Sequence, residues 1–304
     1  MMDAATIIRR VRALAGITRK ELAQLAEVSP STISRIERAE LDPTWGMLSR
    51  ILEATGYRIS GNSLVSAGDP SAIAAARSVL QSVLVGPYAD ALSSLGIGSA
   101  SLGEPIGREA RSLGLAFDEE MASAVEAAPG STAEDATEIG RWITRWVRAG
   151  WLSDPASADH MVTLAVSAGN AGKITRRDVA RRTVVAIDGW RPLAKGLGKA
   201  GITYAVSGLL AARDDRATAT LTSPVIYVED PAQAVEALDL RETNPGEGVL
   251  LIASTGSELE GAETDNGIQF VSRVQGVLDA FAGSGREPDK AEDMLRHLLA
   301  AMRS

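Results

Sequence analysis

The stretch Ile17 to Glu37, ITRKELAQLAEVSPSTISRIE, constrains the fold more than any other part of the chain. Thr18 has the side chain of a helix N-cap, and Glu21, three residues on, completes a capping box, so a helix starts there. Leu22, Leu25 and Ala26 give that helix one apolar face. Val28 closes a turn, and Ser29-Pro30 supplies a second N-cap followed by the residue best tolerated at the first helical position. The second helix runs from Pro30 to about Arg38. On it Ile33 and Ile36 point inward, which leaves Ser31, Thr32 and Arg35 on the opposite face, free to enter a groove of DNA. The competing reading is a plain helical hairpin with a solvated polar face, and it is the wider pattern that weighs against it.

From Ile7 to Ile59 the chain resembles the phage-repressor (XRE) type of helix-turn-helix domain. The resemblance is carried by a preceding helix with Ile7, Val11 and Leu14 inward, by TRKELAQLAEVSPSTISRIE, and by the closing segment LDPTWGMLSRILEATGYRI. It implies that Arg19 meets a backbone phosphate and that Ser29, Pro30, Ser31, Thr32 and Arg35 face base edges, with Arg38 completing the DNA-binding set. It also implies that Arg12 pairs with a buried Glu37. Two positions depart from the family pattern: Glu27 replaces the usual glycine of the turn, and Pro30 stands where a long polar base reader is common.

At 304 residues with 45% apolar content, the chain is expected to form two or three domains. No run of eighteen apolar residues and no leader segment is present, so a cytoplasmic protein without a membrane partner is expected. With no cysteine, and His160 and His297 as the only histidines, disulfides, thiolate chemistry and histidine-rich metal sites are excluded, and no cofactor is expected. The net charge of −8 is unevenly spread. Residues 1–60 hold nine Lys or Arg against seven Asp or Glu, a balance of +2, whereas residues 61–304 hold 22 against 32, a balance of −10. A local basic face is enough for DNA, because phosphate neutralisation is short-ranged at physiological ionic strength.

Past Ile59, SGNSLVSAGDP reads as a hinge that would make the head separable. An alanine-rich helix is expected over Ser71 to Leu84 and a second over Tyr88 to Leu95, forming a collar or a dimer contact. Further helices are expected over Glu119 to Ala127, over Ala133 to Ile139, and around Trp142, Ile143, Trp146 and Val147. WLSDPASADHMVTLAV then reads as two short strands, and three helices followed by a hairpin is a winged-helix plan. Arg141, Arg145 and Arg148 fall on one side of the last helix, as a nucleic-acid contact or a solvated face. Lys173 to Lys199 holds eight basic residues against two acidic ones. There Thr175 with Asp178 would cap a helix displaying Arg176, Arg177, Arg181 and Arg182 to DNA, RNA or an acidic protein, or merely to solvent.

Downstream, ITYAVSGLLAA reads as a strand leading into a helix, VIYVEDP as a strand with the helix AQAVEAL behind it, and GEGVLLIAS as another strand. IQFVSRVQGVLDAFAGSGREPDKAEDMLRHLLAAM reads as a strand, a helix, a Gly-rich break and a final helix. Together with RWVRAGWL, these segments resemble the AbiEi family of type IV antitoxins over roughly Phe117 to Ser304. That resemblance implies a winged helix before an α/β domain, and leaves open which of the two modules reads DNA. A catalytic reading rests on Ser207-Gly208 followed by Asp214-Asp215 and Glu229-Asp230. Neighbours on a strand point to opposite faces, so Glu229 and Asp230 are poorly placed to clamp one metal, and Asp230-Pro231 is instead a helix-start signal.

The expected architecture is multi-domain, mainly α with an α+β C-terminal part. It comprises an all-α helix-turn-helix head over 1–62, a linker and helical collar over 63–100, a winged-helix-like domain over 101–170 and an α/β antitoxin-like domain over 171–304. The expected function is non-enzymatic: a sequence-specific, homodimeric regulator on a double-stranded DNA operator, acting as an antitoxin-like autorepressor of a toxin-antitoxin operon. A toxin-neutralising interaction protein with a cognate toxin as partner, and a ligand-sensing repressor of another operon, are the alternatives.

Overall fold

The computed structural model describes residues 3–61, 63–94, 133–152, 157–219, 224–283 and 287–301. A helical N-terminal region is followed by an α/β part, in line with the expected class. Two compact units divide the chain: Met1–Arg177 with Leu295–Ser304, and Asp178–Met294.

The first unit opens with four short helices. α1 (Ala4–Ala15) starts under Asp3, whose carboxylate accepts the Thr6 N–H at 2.6 Å. α2 (Arg19–Leu25), α3 (Pro30–Glu37) and α4 (Trp45–Ala54) start under the hydroxyls of Thr18, Ser29 and Thr44. Each cap satisfies a backbone amide that the helix itself leaves unpaired. Ile8, Val11, Leu22, Ile33, Ile36 and Ile51 are sealed from solvent and form the core between these helices. Leu14, expected to point inward, is 49% exposed, because it sits at the edge of the stripe formed by Ile8, Val11 and Ala15.

The hinge expected after Ile59 is a β-hairpin instead. β1 (Tyr57–Ser60) pairs antiparallel with β2 (Ser63–Ser66), Tyr57 lying opposite Ser66. Gly61 turns the chain at φ 58°, and the ladder then satisfies backbone groups that a loose linker would leave to water. α5 (Pro70–Ser94) follows as one helix, running through the Gly86-Pro87 step at which two helices were expected.

α6 (Ala133–Ala149) joins into one helix the two that the sequence suggests over this range. α7 (Ala158–Ala171) takes the place of the expected wing, and both pack on α5. The helix expected over Glu119 to Ala127 lies outside the described residues. The strand reading of 161–166 rested on Val162, Thr163 and Val166. What decides the structure is the buried series Met161, Leu164, Ala165, Ala168 and Ala171, spaced by threes and fours, so that packing overrides local strand propensity. Trp142, Trp146 and Trp151 are all buried around α6. The head is packed against this layer. Gly56 has φ 75°, and a Cβ there would fall 2.4 Å from the Ala171 Cβ of α7. The Asn170 amide also reaches the Leu14 carbonyl at 3.5 Å.

The second unit is a six-stranded mixed sheet in the order β3-β6-β5-β4-β8-β7. These strands are β3 (Arg181–Val184), β4 (Tyr204–Ser207), β5 (Val225–Val228), β6 (Val249–Ala253), β7 (Glu263–Asp265) and β8 (Ile268–Phe270). β5–β6 and β4–β8 run parallel, and the other neighbours run antiparallel. α8 (Trp190–Lys199) and α10 (Arg273–Phe281) pack on β4, and α9 (Pro231–Ala237) packs on β3 and β6. The helix expected after YAVS is a series of turns over 208–219. These turns lie against α10 at Gly276, where a Cβ would come within 2.9 Å of both Ala211 Cβ and the Gly208 carbonyl. Inside the sheet the Asp279 carboxylate of α10 accepts from Ser207 Oγ (2.6 Å), Tyr227 OH (3.0 Å) and Gln275 Nε2 (3.0 Å), all four residues being buried. α11 (Glu287–Ala301) closes the chain. From Leu295 onward it belongs to the first unit, where Arg296 pairs with Asp159 at 2.7 Å. No helix among the described residues is long and apolar enough to cross a membrane.

Candidate nucleic-acid interface

The candidate reading surface is the outer side of α3 and the start of α2. At the head of α3, Ser29 accepts the Thr32 N–H at 3.1 Å. Its Oγ also lies 2.8 Å from Ser31 Oγ and 2.7 Å from Thr32 Oγ1. Three hydroxyls therefore cluster at the positive end of a helix dipole, a setting suited to acceptor-rich surfaces. Ser29, Pro30, Ser31 and Arg35 are exposed, and Thr32 is half-buried. Among the described residues no carboxylate pairs with Arg35, so its planar fork is available to a base edge or a phosphate. Arg38 is exposed and pairs with Glu40 at 3.2 Å.

Behind this surface a buried carboxylate ties three helices together. Glu37 of α3, its side chain 1% exposed, accepts from Arg12 Nε of α1 at 2.8 Å and from Arg19 Nε of α2. Burial works to raise the Glu37 pKa, and the hydrogen bonds and charges of Arg12 and Arg19 outweigh it, holding the group below the ordinary carboxylate range. Arg19 is thus anchored, yet its side chain stays 55% exposed. The same guanidinium braces the fold through Nε and offers its outer edge beside α3.

Both helices of the motif end in the same way. After α2 the Glu27 N–H bonds to Gln24 O and the Val28 N–H to Ala23 O, and Glu27 has φ 55°. After α3 the Ala39 N–H bonds to Ile36 O and the Glu40 N–H to Arg35 O, and Ala39 has φ 59°. This is the Schellman arrangement, whose left-handed position is usually glycine. α1 uses Gly16 for it, but the two helices of the motif do not.

The other basic residues singled out by the sequence do not form free faces. On α6, Arg141 pairs with Glu138 one turn away. Arg145 lies 4.8 Å above the Trp142 ring, and burial lowers its pKa against the opposing pull of Asp69, Glu138 and Glu53. Arg148 pairs with Glu27 in the turn of the motif. Nor do Arg176, Arg177, Arg181 and Arg182 share a helix. Ile174–Arg176 is a single 3₁₀ turn, Arg177 is buried with Nε donating to Gly172 O at 3.0 Å, and Arg181 and Arg182 begin β3 of the second unit. The helix that Thr175 is expected to cap is absent: Thr175 lies inside the 3₁₀ turn, and Arg177 reaches back to Gly172, just past the end of α7. Three of the four carboxylates considered for metal binding are otherwise engaged: Asp230 caps α9 at 2.7 Å, Asp215 pairs with Arg213, and Asp214 pairs with Arg273.

Two tryptophans that the sequence reading did not single out stand out in the head and in its support. Trp45, at the first turn of α4, is 67% exposed. Trp151, just past α6, is buried and donates its indole N–H to Glu21 of the capping box at 3.1 Å. Only the second left no trace in the sequence, because its partner is 130 residues away. For Trp45 the signal is the Thr44 N-cap, which puts the next residue in the first turn. Burial works to raise the Glu21 pKa, and the hydrogen bonds from Thr18 and Trp151 outweigh it, so this carboxylate too is held low.

A helix-turn-helix family model matches residues 8–61, from the second turn of α1 to the turn of the hairpin. No curated protein and no solved structure matches the chain.

Proposed function

We propose that this chain is a sequence-specific, double-stranded-DNA-binding transcription regulator that acts by occupying an operator rather than by catalysis. The observation that carries the proposal is the outer face of α3, where Ser29, Ser31 and Arg35 stand exposed at the head of a helix whose inner face is locked into the core. Arg19, fixed by Glu37 with its outer edge in solvent, suits a phosphate contact that sets register, while Arg35 suits a base edge. The direct test is selection. The full chain is mixed with a randomised duplex library, and enrichment of one sequence supports the reading; no enrichment over many cycles refutes it.

In its finer form the proposal is an antitoxin-like autorepressor, cytoplasmic and homodimeric, with the α/β unit as the seat of a toxin protein. Support comes from the segments YAVSGLLAA, VIYVEDP and FVSRVQGVLDAF, which resemble the AbiEi family and contribute β4, β5 and α10 to one sheet-and-helix core. Two heads are needed for a site longer than the few base pairs one α3 can read. Co-expression with the product of the neighbouring reading frame tests the role. Copurification together with relief of that product's toxicity supports it, and a non-toxic neighbour that does not associate removes the antitoxin role while leaving the DNA reading intact.

A further inference from the structure

The end of α6 reaches the motif at two points. Arg148 pairs with Glu27, just past the C-terminal end of α2, and Trp151 donates to Glu21 in its first turn. Both contacts lie within the first unit. Glu27 occupies the left-handed position of a Schellman turn, where a side chain is disfavoured and glycine would hold the geometry unaided. α3 begins at Pro30, three residues beyond Glu27, under the Ser29 cap, so the conformation of that one residue sets where the recognition helix starts relative to α2.

Resting on the DNA reading above, we propose that Arg148 and Trp151 are positioning residues for DNA recognition: together they grip α2 at both ends and hold the Glu27 turn in the setting that aims α3. Arg148 is 47% exposed and Glu27 59% exposed, and a pair so open to water contributes little to global stability. Its effect is local. It opposes relaxation of a backbone conformation that the sequence itself does not favour, while the buried Trp151 bond fixes the other end of the same helix. The contacts leave the outer face of α3 clear, since Ser29, Ser31 and Arg35 remain exposed. The unit that binds DNA is accordingly larger than the four-helix head and extends to α6.

The test uses the full chain and, as probe, a fluorescein-labelled duplex carrying the sequence that the unaltered chain enriches. Arg148→Ala is expected to weaken binding about three- to fivefold, and Arg148→Ala with Trp151→Phe on the order of tenfold. Glu27→Gly supplies the conformation locally, so adding Arg148→Ala to it is expected to change affinity by less than about twofold. Two results overturn the proposal. One is binding by both Arg148→Ala and Trp151→Phe that equals the unaltered chain. The other is a loss from Arg148→Ala that persists in the Glu27→Gly background with the salt slope reduced by about one, which makes Arg148 a direct phosphate contact. Hydrogen exchange at the Val28 amide, bonded to Ala23 O, reads the turn without DNA. Arg148→Ala is expected to speed it about three- to fivefold, and unchanged exchange overturns the brace even if the chain enriches no sequence.

Discussion

Arg12 and Arg19 approach one carboxylate, that of Glu37, from opposite oxygens: Arg12 Nε lies 2.8 Å from Oε1, and Arg19 Nε bonds to Oε2. A single buried side chain thereby fixes α1, α2 and α3 to one another, and two consequences can be measured. Glu37→Gln is expected to cost about 1.5 to 3 kcal/mol at neutral pH, because it weakens two charge-assisted bonds while both guanidiniums keep some access to water. Urea unfolding at about pH 7 measures the loss.

The same carboxylate makes the head sensitive to acid. Its pKa in the folded chain lies below the ordinary 4.5, as does that of Glu21. The stabilisation they supply is therefore complete above 4.5 and is lost as pH falls through their folded values. Melting temperatures measured down to about pH 3 should fall less steeply for Glu37→Gln than for the unaltered chain. Equal slopes would mean that the carboxylate carries no net preference for its charged form.

Arg35 and Arg19 should separate on DNA. Arg35→Ala is expected to lose about 1 to 3 kcal/mol on the enriched sequence and to relax preference at one base pair. Arg19→Ala should weaken enriched and scrambled duplexes alike and reduce the salt slope by about one, and it should also lower the melting temperature, since it uncouples α2 from Glu37. An Arg35→Ala chain with unchanged base preference would remove Arg35 from the reading surface.

Ala39 is a simpler case than Glu27, because no ion pair accompanies its left-handed φ of 59°. Ala39→Gly is expected to stabilise the chain by roughly 0.5 to 1 kcal/mol through relief of that conformation. Denaturant midpoints with an unchanged m-value provide the measurement, and a destabilised variant would contradict the assignment of strain.

In the second unit, Asp279 is the hub of a buried polar cluster with Ser207, Tyr227 and Gln275. Asp279→Ala is expected to cost about 3 to 5 kcal/mol, since it removes the carboxylate that accepts from Ser207, Tyr227 and Gln275 in the buried space between β4, β5 and α10. Tyr227→Phe, which removes one donor and keeps the volume, should cost about 1 to 2 kcal/mol. Differential scanning calorimetry of the full chain would show the change in the transition of this unit.

What could be read in the chain beforehand divides along physical lines. Thr18 with Glu21, Ser29 with Pro30, and Asp230 with Pro231 act within four residues, and each marks a helix start that the structure contains. The Arg12–Glu37 pair spans 25 residues and was legible only through resemblance to a known domain. Residues 161–166 were misread because their β-branched side chains favour strands in isolation, whereas the burial of Leu164 and Ala168 on a helix that packs on α5 is a property of the assembled layer. Arg177 was misread for a related reason, since a charge run looks solvated until one member finds a carbonyl to bury against, here that of Gly172. Trp151 with Glu21, and Arg148 with Glu27, join positions more than a hundred residues apart, and no local pattern announces them.

The contact between Gly56 and Ala171 carries a consequence for how such a chain can evolve. Any side chain introduced at 56 must both hold a left-handed backbone and occupy space already filled by α7. A helix-turn-helix cassette exchanged from another regulator would therefore have to bring a glycine at this point and a small residue at 171. Recombination at the Ser60–Asp69 segment, where composition suggests an easy crossover, would instead cut through a paired hairpin. Inheritance should keep the head and the α5–α7 layer together as one block, so that, on the function proposed above, new DNA preferences would arise by substitutions on α3 rather than by swapping the head.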